Sequence, residues 1–292
     1  MKPPAFDYHA PSTIEEALVL LRDLGPDARP LAGGQSLVPM MNFRITNPSH
    51  LVDLNRISGL SYIRVESGHL CIGAMTRHGD VEHSEVIKNA WPLLSGAMKH
   101  VGHVQIRNRG TIGGSLSHAD PSAELPAIVG ALDGELMLRG AAGTRTLRAE
   151  EFFLGVLTTA AQPDELLVEI RIPALPAGTS WAFDELSRRR GDFAIVGVAA
   201  VVRCDRSKKI DFVRLTFAGV GEKFVRSRLA EEALLGKEPV ADVISEASRV
   251  AASELDPPSD LHASANYRRQ VAEVMAGRVL SQAIAQQRAW AQ

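Results

Sequence analysis

Along residues 10–24 the apolar positions Ala17, Leu18, Leu20, Leu21 and Leu24 recur at helical spacing with polar positions between them, which predicts an amphipathic helix. Ser12 or Thr13 stands where an N-cap belongs. Glu15 and Glu16 fall in the first turn, where the helix dipole favours acids, and Gly25-Pro26 ends the pattern. Residues 28–31 then read as a short strand and residues 51–54 as a buried one. Residues 61–65 and 69–73 flank Ser67-Gly68 as the arms of a hairpin. Helical patterns follow at 76–83, 92–101 and 124–131, and strands at 135–139 and 166–172. Strands alternating with helices predict an α/β or α+β fold.

The segment Pro173-Ala174-Leu175-Pro176-Ala177-Gly178 has the composition of a linker, and the texture changes beyond it. Residues 193–202 (FAIVGVAAVV) read as a buried strand built from small side chains, and residues 210–218 alternate as a second strand. From Arg228 onward the pattern is mostly helical, broken at Asp256-Pro257-Pro258. A last helix over 266–291 sets Val271, Val274, Met275, Val279 and Leu280 on one side. The boundary between two domains is therefore expected near residue 177, with a further subdivision of the first part into about 1–57 and 58–177 and a second domain over 178–292.

Charge narrows the function. With 32 Lys plus Arg against 34 Asp plus Glu, the chain lacks the basic footprint of a nucleic-acid partner. The start, MKPPAFD, does not resemble a signal peptide, and no stretch reaches the ~20 apolar residues of a membrane helix. A cytoplasmic protein without membrane insertion is expected. The two cysteines, Cys71 and Cys204, form no CxxC pair and fall short of the four ligands that iron–sulfur clusters ordinarily take, so they read as small packed hydrophobes. The histidines show no HExxH spacing, and no metal site is expected.

The candidate chemistry lies in two glycine stretches. One is Leu31-Ala32-Gly33-Gly34-Gln35-Ser36-Leu37, and the other is Gly110-Thr111-Ile112-Gly113-Gly114-Ser115. Each pairs two glycines with hydroxyl residues. Residues without a Cβ let a backbone approach another molecule, and successive amides in such a turn make a concave anion site. Either stretch alone is equally a tight turn between two elements. Two together suit a diphosphate that takes donors from both sides. Neither reads GxxxxGK[ST] or GxGxxG, so the P-loop and the Rossmann fingerprint are both absent.

AGGQSLVPMMNFR together with QIRNRGTIGGSLSHADPSAELPA resembles the FAD-binding medium subunit of the molybdenum hydroxylases, the family of the carbon monoxide, nicotine, caffeine and xanthine dehydrogenases. MKPPAFDY, SRRRGDFAIVGVAA and SDLHASANYRRQVAEVM extend the resemblance over nearly the whole chain. It implies an α+β fold: a two-part FAD-binding domain of the PCMH type, like that of vanillyl-alcohol oxidase, followed by a smaller α+β domain with an antiparallel sheet and helices. It implies FAD held by Ala32, Gly33, Gly34, Gln35, Ser36 and Leu37 on one side and by Thr111, Ile112, Gly113, Gly114 and Ser115 on the other. Asp120 and Glu124 follow; an acid there suits a ribose or ribityl hydroxyl, and the family's loop spacing favours Glu124, with helix N-capping by Asp120 or Ser122 as the plainer role. Phe193 is placed against the isoalloxazine ring or in the core, and Arg189, in the run Arg188-Arg189-Arg190, either near the reduced flavin or in solvent.

The resemblance also implies partners: a large subunit with molybdopterin cytosine dinucleotide, and a small subunit with [2Fe–2S] clusters, in a heterotrimer or its dimer. Electrons would pass through this FAD to an external acceptor. The alternative is a stand-alone FAD oxidoreductase acting on its own small substrate.

Overall fold

The computed structural model describes residues 2–290; the expected helix end at Ala291 lies outside the described residues. The chain opens with β1 (Asp7–His9), α1 (Ile14–Leu24), β2 (Ala28–Leu31), α2 (Leu37–Asn42) and β3 (His50–Asp53). The three strands form a parallel sheet in the order β1-β3-β2. Thr13 rather than Ser12 caps α1, accepting a hydrogen bond from the Glu16 amide at 3.2 Å, and Gly25 at φ 65° closes it. Ala17 and Leu21 of α1 pack against Ala28, Val52, Leu54 and Ile57.

Next come β4 (Ile63–Glu66) and β5 (His69–Gly73), joined through Ser67 at φ 50° and Gly68 at φ 78°. Two left-handed residues in sequence suit the twist of a tight hairpin. Five short helices follow: α3 (His78–His83), α4 (Glu85–Ala90), α5 (Pro92–Ala97), α6 (Val104–Arg107) and α7 (Ile112–His118), then α8 (Glu124–Ala131). The helix expected over 92–101 ends at Ala97, and the chain goes on in tight turns, His100 donating to the Ala97 carbonyl at 3.0 Å and Val101 to Met98 at 3.2 Å, before Gly102 at φ 53°. The strands β6 (Glu135–Gly140) and β7 (Gly143–Arg148), a turn of helix α9 (Ala149–Phe152), the small pair β8 (Phe153–Gly155) and β9 (Thr158–Thr159), and β10 (Leu166–Pro173) complete this part. The large sheet is antiparallel in the order β4-β5-β10-β6-β7.

Beyond residues 174–179 the chain makes β11 (Ser180–Leu186), β12 (Val196–Cys204), β13 (Ile210–Ala218) and β14 (Val225–Arg226), an antiparallel sheet in sequence order. α10 (Arg228–Leu234), α11 (Ala241–Ser253) and α12 (Ala265–Trp290) follow. The apolar run around β12 is explained by burial on both faces. Val198, Ala200 and Val202 face α11 and α12, whereas Ala199 and Val201 join the core beneath α5 and α8. The two parts thus share a wall. Close packing there leaves no room for side chains: a Cβ on Gly96 of α5 would stand 2.3 Å from the Trp181 ring, and one on Gly130 of α8 2.2 Å from Phe224. On α12 the buried face is Ala272, Met275, Ala276, Val279, Leu280, Ala283 and Ile284; Val274, expected there, is 63% exposed because it falls on the opposite side of the turn.

Candidate functional site

The first glycine stretch leaves β2 and turns into α2. Gly34 takes φ 73°, a conformation an L side chain resists. The carbonyls around it are taken by protein side chains. The Ala32 carbonyl accepts from Asn55 Nδ2 at 2.9 Å, and the Gly33 carbonyl accepts from Gln35 Nε2 at 3.0 Å. Among the described residues, the amides of Gly33, Gly34, Gln35, Ser36 and Leu37 donate to no protein acceptor. The Ser36 hydroxyl makes no capping bond. A row of unpaired amides with carbonyls turned back is a donor surface for an anion.

The second stretch is built differently. It was expected as a loop, but residues 112–118 are the helix α7, capped by Thr111, whose hydroxyl accepts from the Gly114 amide at 3.1 Å. The Ile112 amide donates to Thr76 at 3.0 Å, the Gly113 amide to Ala74 at 2.9 Å and the Ser115 amide to Thr111 at 3.1 Å. These amides are taken up by the protein and cannot cradle a phosphate. What this stretch leaves half-exposed is Ser115, while Thr111 is 2% exposed with its hydroxyl turned to the Gly114 amide. Its glycines serve packing. A Cβ on Gly113 would lie 2.4 Å from the Ala74 side chain and 2.6 Å from its carbonyl.

The two stretches touch. A Cβ on Gly33 would stand 2.3 Å from the Arg109 carbonyl, and one on Gly114 would stand 3.4 Å from the Ala32 side chain. Ala32, Gly33, Thr111 and Gly114 are therefore brought together; Ala32 and Gly114 are half-buried, and Gly33, Thr111, Ile112 and Gly113 are buried. His78, at the start of α3, lies under the same junction. Its amide donates to the Gly110 carbonyl at 3.0 Å, and burial pushes its imidazole down to about 4, with Arg107 and Arg77 acting in the same direction.

Downstream, Ala119 takes φ 53° and closes α7, and Asp120 uses one oxygen to hold the Ser122 amide at 2.8 Å. The Pro121 and Ser122 carbonyls accept from Gly219 at 2.8 Å and from Ala194 at 3.2 Å, which docks this turn on the C-terminal sheet. Glu124 opens α8. It is 3% exposed, and its carboxyl is pushed up to about 8 by burial first and then by Glu185 and Asp120. The positions of α8 are all buried. Asp120, half-buried, is the acid that remains accessible. Phe193 is 52% exposed, so it is not core; its neighbour Ala194 binds it to the Ser122 turn. Arg189 is exposed, with its carbonyl holding the Asp192 amide at 3.0 Å.

The donor surface fits the diphosphate of a dinucleotide cofactor, and the sequence relatives agree. Residues 4–175 match the FAD binding domain in molybdopterin dehydrogenase, and residues 181–283 match the CO dehydrogenase flavoprotein C-terminal domain. The chain is an FAD-binding medium subunit of the molybdenum hydroxylase family. It is 44% identical over 284 residues to the 6-hydroxypseudooxynicotine dehydrogenase complex subunit alpha of Paenarthrobacter nicotinovorans, covering 97% of this chain and 96% of that one. It is 39% identical to the caffeine dehydrogenase subunit beta of Pseudomonas sp. strain CBB1, with 97% and 96% covered. Among solved structures, carbon monoxide dehydrogenase from Hydrogenophaga pseudoflava superposes with a TM-score of 0.96 at 42% identity, covering 98% of this chain and 99% of that one. This medium subunit is thus an oxidoreductase component that binds FAD, and the molybdenum and iron–sulfur cofactors belong to other subunits of a multi-subunit dehydrogenase. Among its described residues no group of three or more metal-ligating side chains gathers, and no helix is long and apolar enough to cross a membrane.

Two residues at the junction, Asn55 and Arg77, were not anticipated. Arg77 Nη2 donates to Asn55 Oδ1 at 2.6 Å, and its Nη1 donates to the Arg109 carbonyl. Neither sits in a glycine motif, and 22 residues separate them, so no local signal marks them.

Proposed function

We propose that this chain relays electrons from [2Fe–2S] clusters of a small subunit to an external acceptor, in a cytoplasmic complex whose large subunit carries molybdopterin and hydroxylates the substrate. The complex is a heterotrimer or its dimer. The carrying observation is the row of unpaired amides at Gly33, Gly34, Gln35, Ser36 and Leu37, in a chain that gathers no cluster or metal ligands among its described residues.

The FAD-binding unit is residues 1–177, with subdivisions near 1–57 and 58–177, and residues 178–292 form the C-terminal unit. FAD supplies the electron-accepting and electron-donating chemistry. The chain's part is to bind and orient it. The first stretch donates amides to the diphosphate, and Ala32 and Gly114 give it a surface free of bulk. Thr111 and Ser115 add hydroxyl donors from the second side. Asp120, the accessible acid, accepts from a ribose or ribityl hydroxyl, the role the family spacing had assigned to Glu124. Phe193 offers an apolar face to the ring system, and Arg189 a nearby positive charge.

The test is purification of the tagged chain from its own host cells. One FAD per chain, released on denaturation, together with one co-purifying chain that contains molybdenum and another that contains iron and sulfide, is the expected outcome. An FAD-loaded chain that turns over a substrate alone, without metal-containing partners, would favour the stand-alone oxidoreductase instead.

A further inference from the structure

In a trans peptide the carbonyl and the amide of the next residue point in opposite directions. A donor that holds the Ala32 carbonyl therefore also aims the Gly33 amide the other way. Asn55 Nδ2 does this at 2.9 Å, from the short helical turn Leu54–Arg56 that follows β3. Asn55 is itself fixed: its amide donates to Asp53 Oδ1 at 2.9 Å, and the other Asp53 oxygen accepts the Tyr8 hydroxyl of β1. Arg77 then spans the gap. One arm of its guanidinium donates to Asn55 Oδ1 and the other to the Arg109 carbonyl, the group that faces Gly33. The chain of contacts runs from the parallel sheet through the first glycine stretch to the second. Both terminal nitrogens of Arg77 are engaged by protein oxygens, so the guanidinium is committed to bridging.

We propose that Asn55 and Arg77 are positioning residues, a clamp that sets the separation of the two glycine stretches and keeps the amides of the first turned toward the cofactor. This rests on the reading that the first stretch binds the FAD diphosphate. The clamp acts through the backbone and touches no reacting atom.

The experiment uses the full chain, stripped of flavin and titrated with FAD by fluorescence quenching, with thermal unfolding of each apo-protein recorded alongside. Asn55→Ala and Arg77→Met each raise the FAD Kd about tenfold, the size of one net hydrogen bond to the backbone, and leave the apo melting temperature near wild type. Arg77→Lys weakens binding as much as Arg77→Met, because an ammonium cannot bridge two fixed acceptors as the planar fork does. The double variant Asn55→Ala/Arg77→Met stays near the single variants, since the two residues share one contact chain.

Four results would overturn the proposal. They are an unchanged Kd in both single variants, wild-type binding in Arg77→Lys, a double variant weakened about a hundredfold as independent sites require, or a Kd loss matched by an equal loss of apo stability. Wild-type behaviour of Arg77→Lys would mark Arg77 as a plain cation for the phosphates. Gly34→Val separates this from the parent reading. If Gly34→Val loses FAD while the clamp variants keep it, the clamp alone fails; if Gly34→Val binds FAD normally, the loop assignment itself fails.

Discussion

The two glycine stretches look alike in sequence and do opposite work. Both set a Gly-Gly pair beside hydroxyl residues. In the first, Gly34 at φ 73° turns the backbone and the amides from Gly33 to Leu37 stay unpaired. In the second, a threonine cap starts a helix, the amides are taken up by Ala74, Thr76 and Thr111, and the glycines let that helix lie flat on the strand end at Ala74. A glycine pair thus states only that a side chain is excluded. Whether a ligand or the protein's own backbone fills the space depends on where the neighbouring carbonyls point.

The sharpest test of this contrast is Gly113→Val. Its Cβ would meet the backbone of Ala74, which cannot swing aside as a side chain could. The variant is expected to lose about 4 kcal/mol of stability, a value at the upper end for overpacking, measured by denaturant unfolding of the apo chain. Unfolding at the wild-type midpoint would show that the second stretch is not a core element.

The acid limb of stability probes the same junction through His78. Its imidazole titrates near 4 when folded and near 6.5 when unfolded, so the unfolded state binds the extra proton first. The contribution is therefore complete above pH 6.5 and is lost as pH falls toward 4, by about 3 kcal/mol. Replacing His78 with Gln should flatten this limb by a similar amount. An unaltered slope in His78→Gln would place the titrating group elsewhere.

A smaller effect is expected at the first stretch. Gly34→Ala forces a side chain into the left-handed region at a cost of about 1–2 kcal/mol. Because the turn lies at the surface, the apo chain should tolerate it, while FAD binding weakens about tenfold or more as the turn relaxes. Equilibrium dialysis against FAD decides it; equal retention would mean that these amides are not the binding surface. Smallest of all is Thr111→Val, which removes a helix cap and a hydroxyl donor together. It should lower apo stability by about 1 kcal/mol and also weaken FAD binding. A loss confined to stability would reduce Thr111 to a cap.

Much of this was legible in the sequence. The α1 stripe, the Ser67-Gly68 hairpin, the strand over 210–218 and the helix over 124–131 all follow from local periodicity and turn chemistry, which act over a few residues. The family, and with it the cofactor, was legible from the glycine stretches and their flanks. What escaped was whatever depends on distant partners. Nothing local distinguishes a Gly-Gly that opens a helix against Ala74 from one that bares its amides. Glu124 carries the same charge as any surface acid until folding buries it, with Glu185, some sixty residues on, adding its charge nearby. Phe193 belongs to an apolar run, yet the strand begins at Val196 and leaves the ring outside.

The sheet of β11 to β14 has its own consequence, because one of its faces completes the core of the FAD-binding part. A wall common to two rooms cannot be removed with either one. Cutting the chain in the 174–179 segment would bare Ala199, Val201 and Phe224 on one fragment and the surfaces of α5 and α8 on the other. The halves are therefore expected to melt in a single cooperative transition, and tightening of the glycine turns by FAD should slow amide exchange in β12 and β13 as well as nearby. Exchange in β12 and β13 that is the same with and without FAD would show that the shared wall does not transmit the binding.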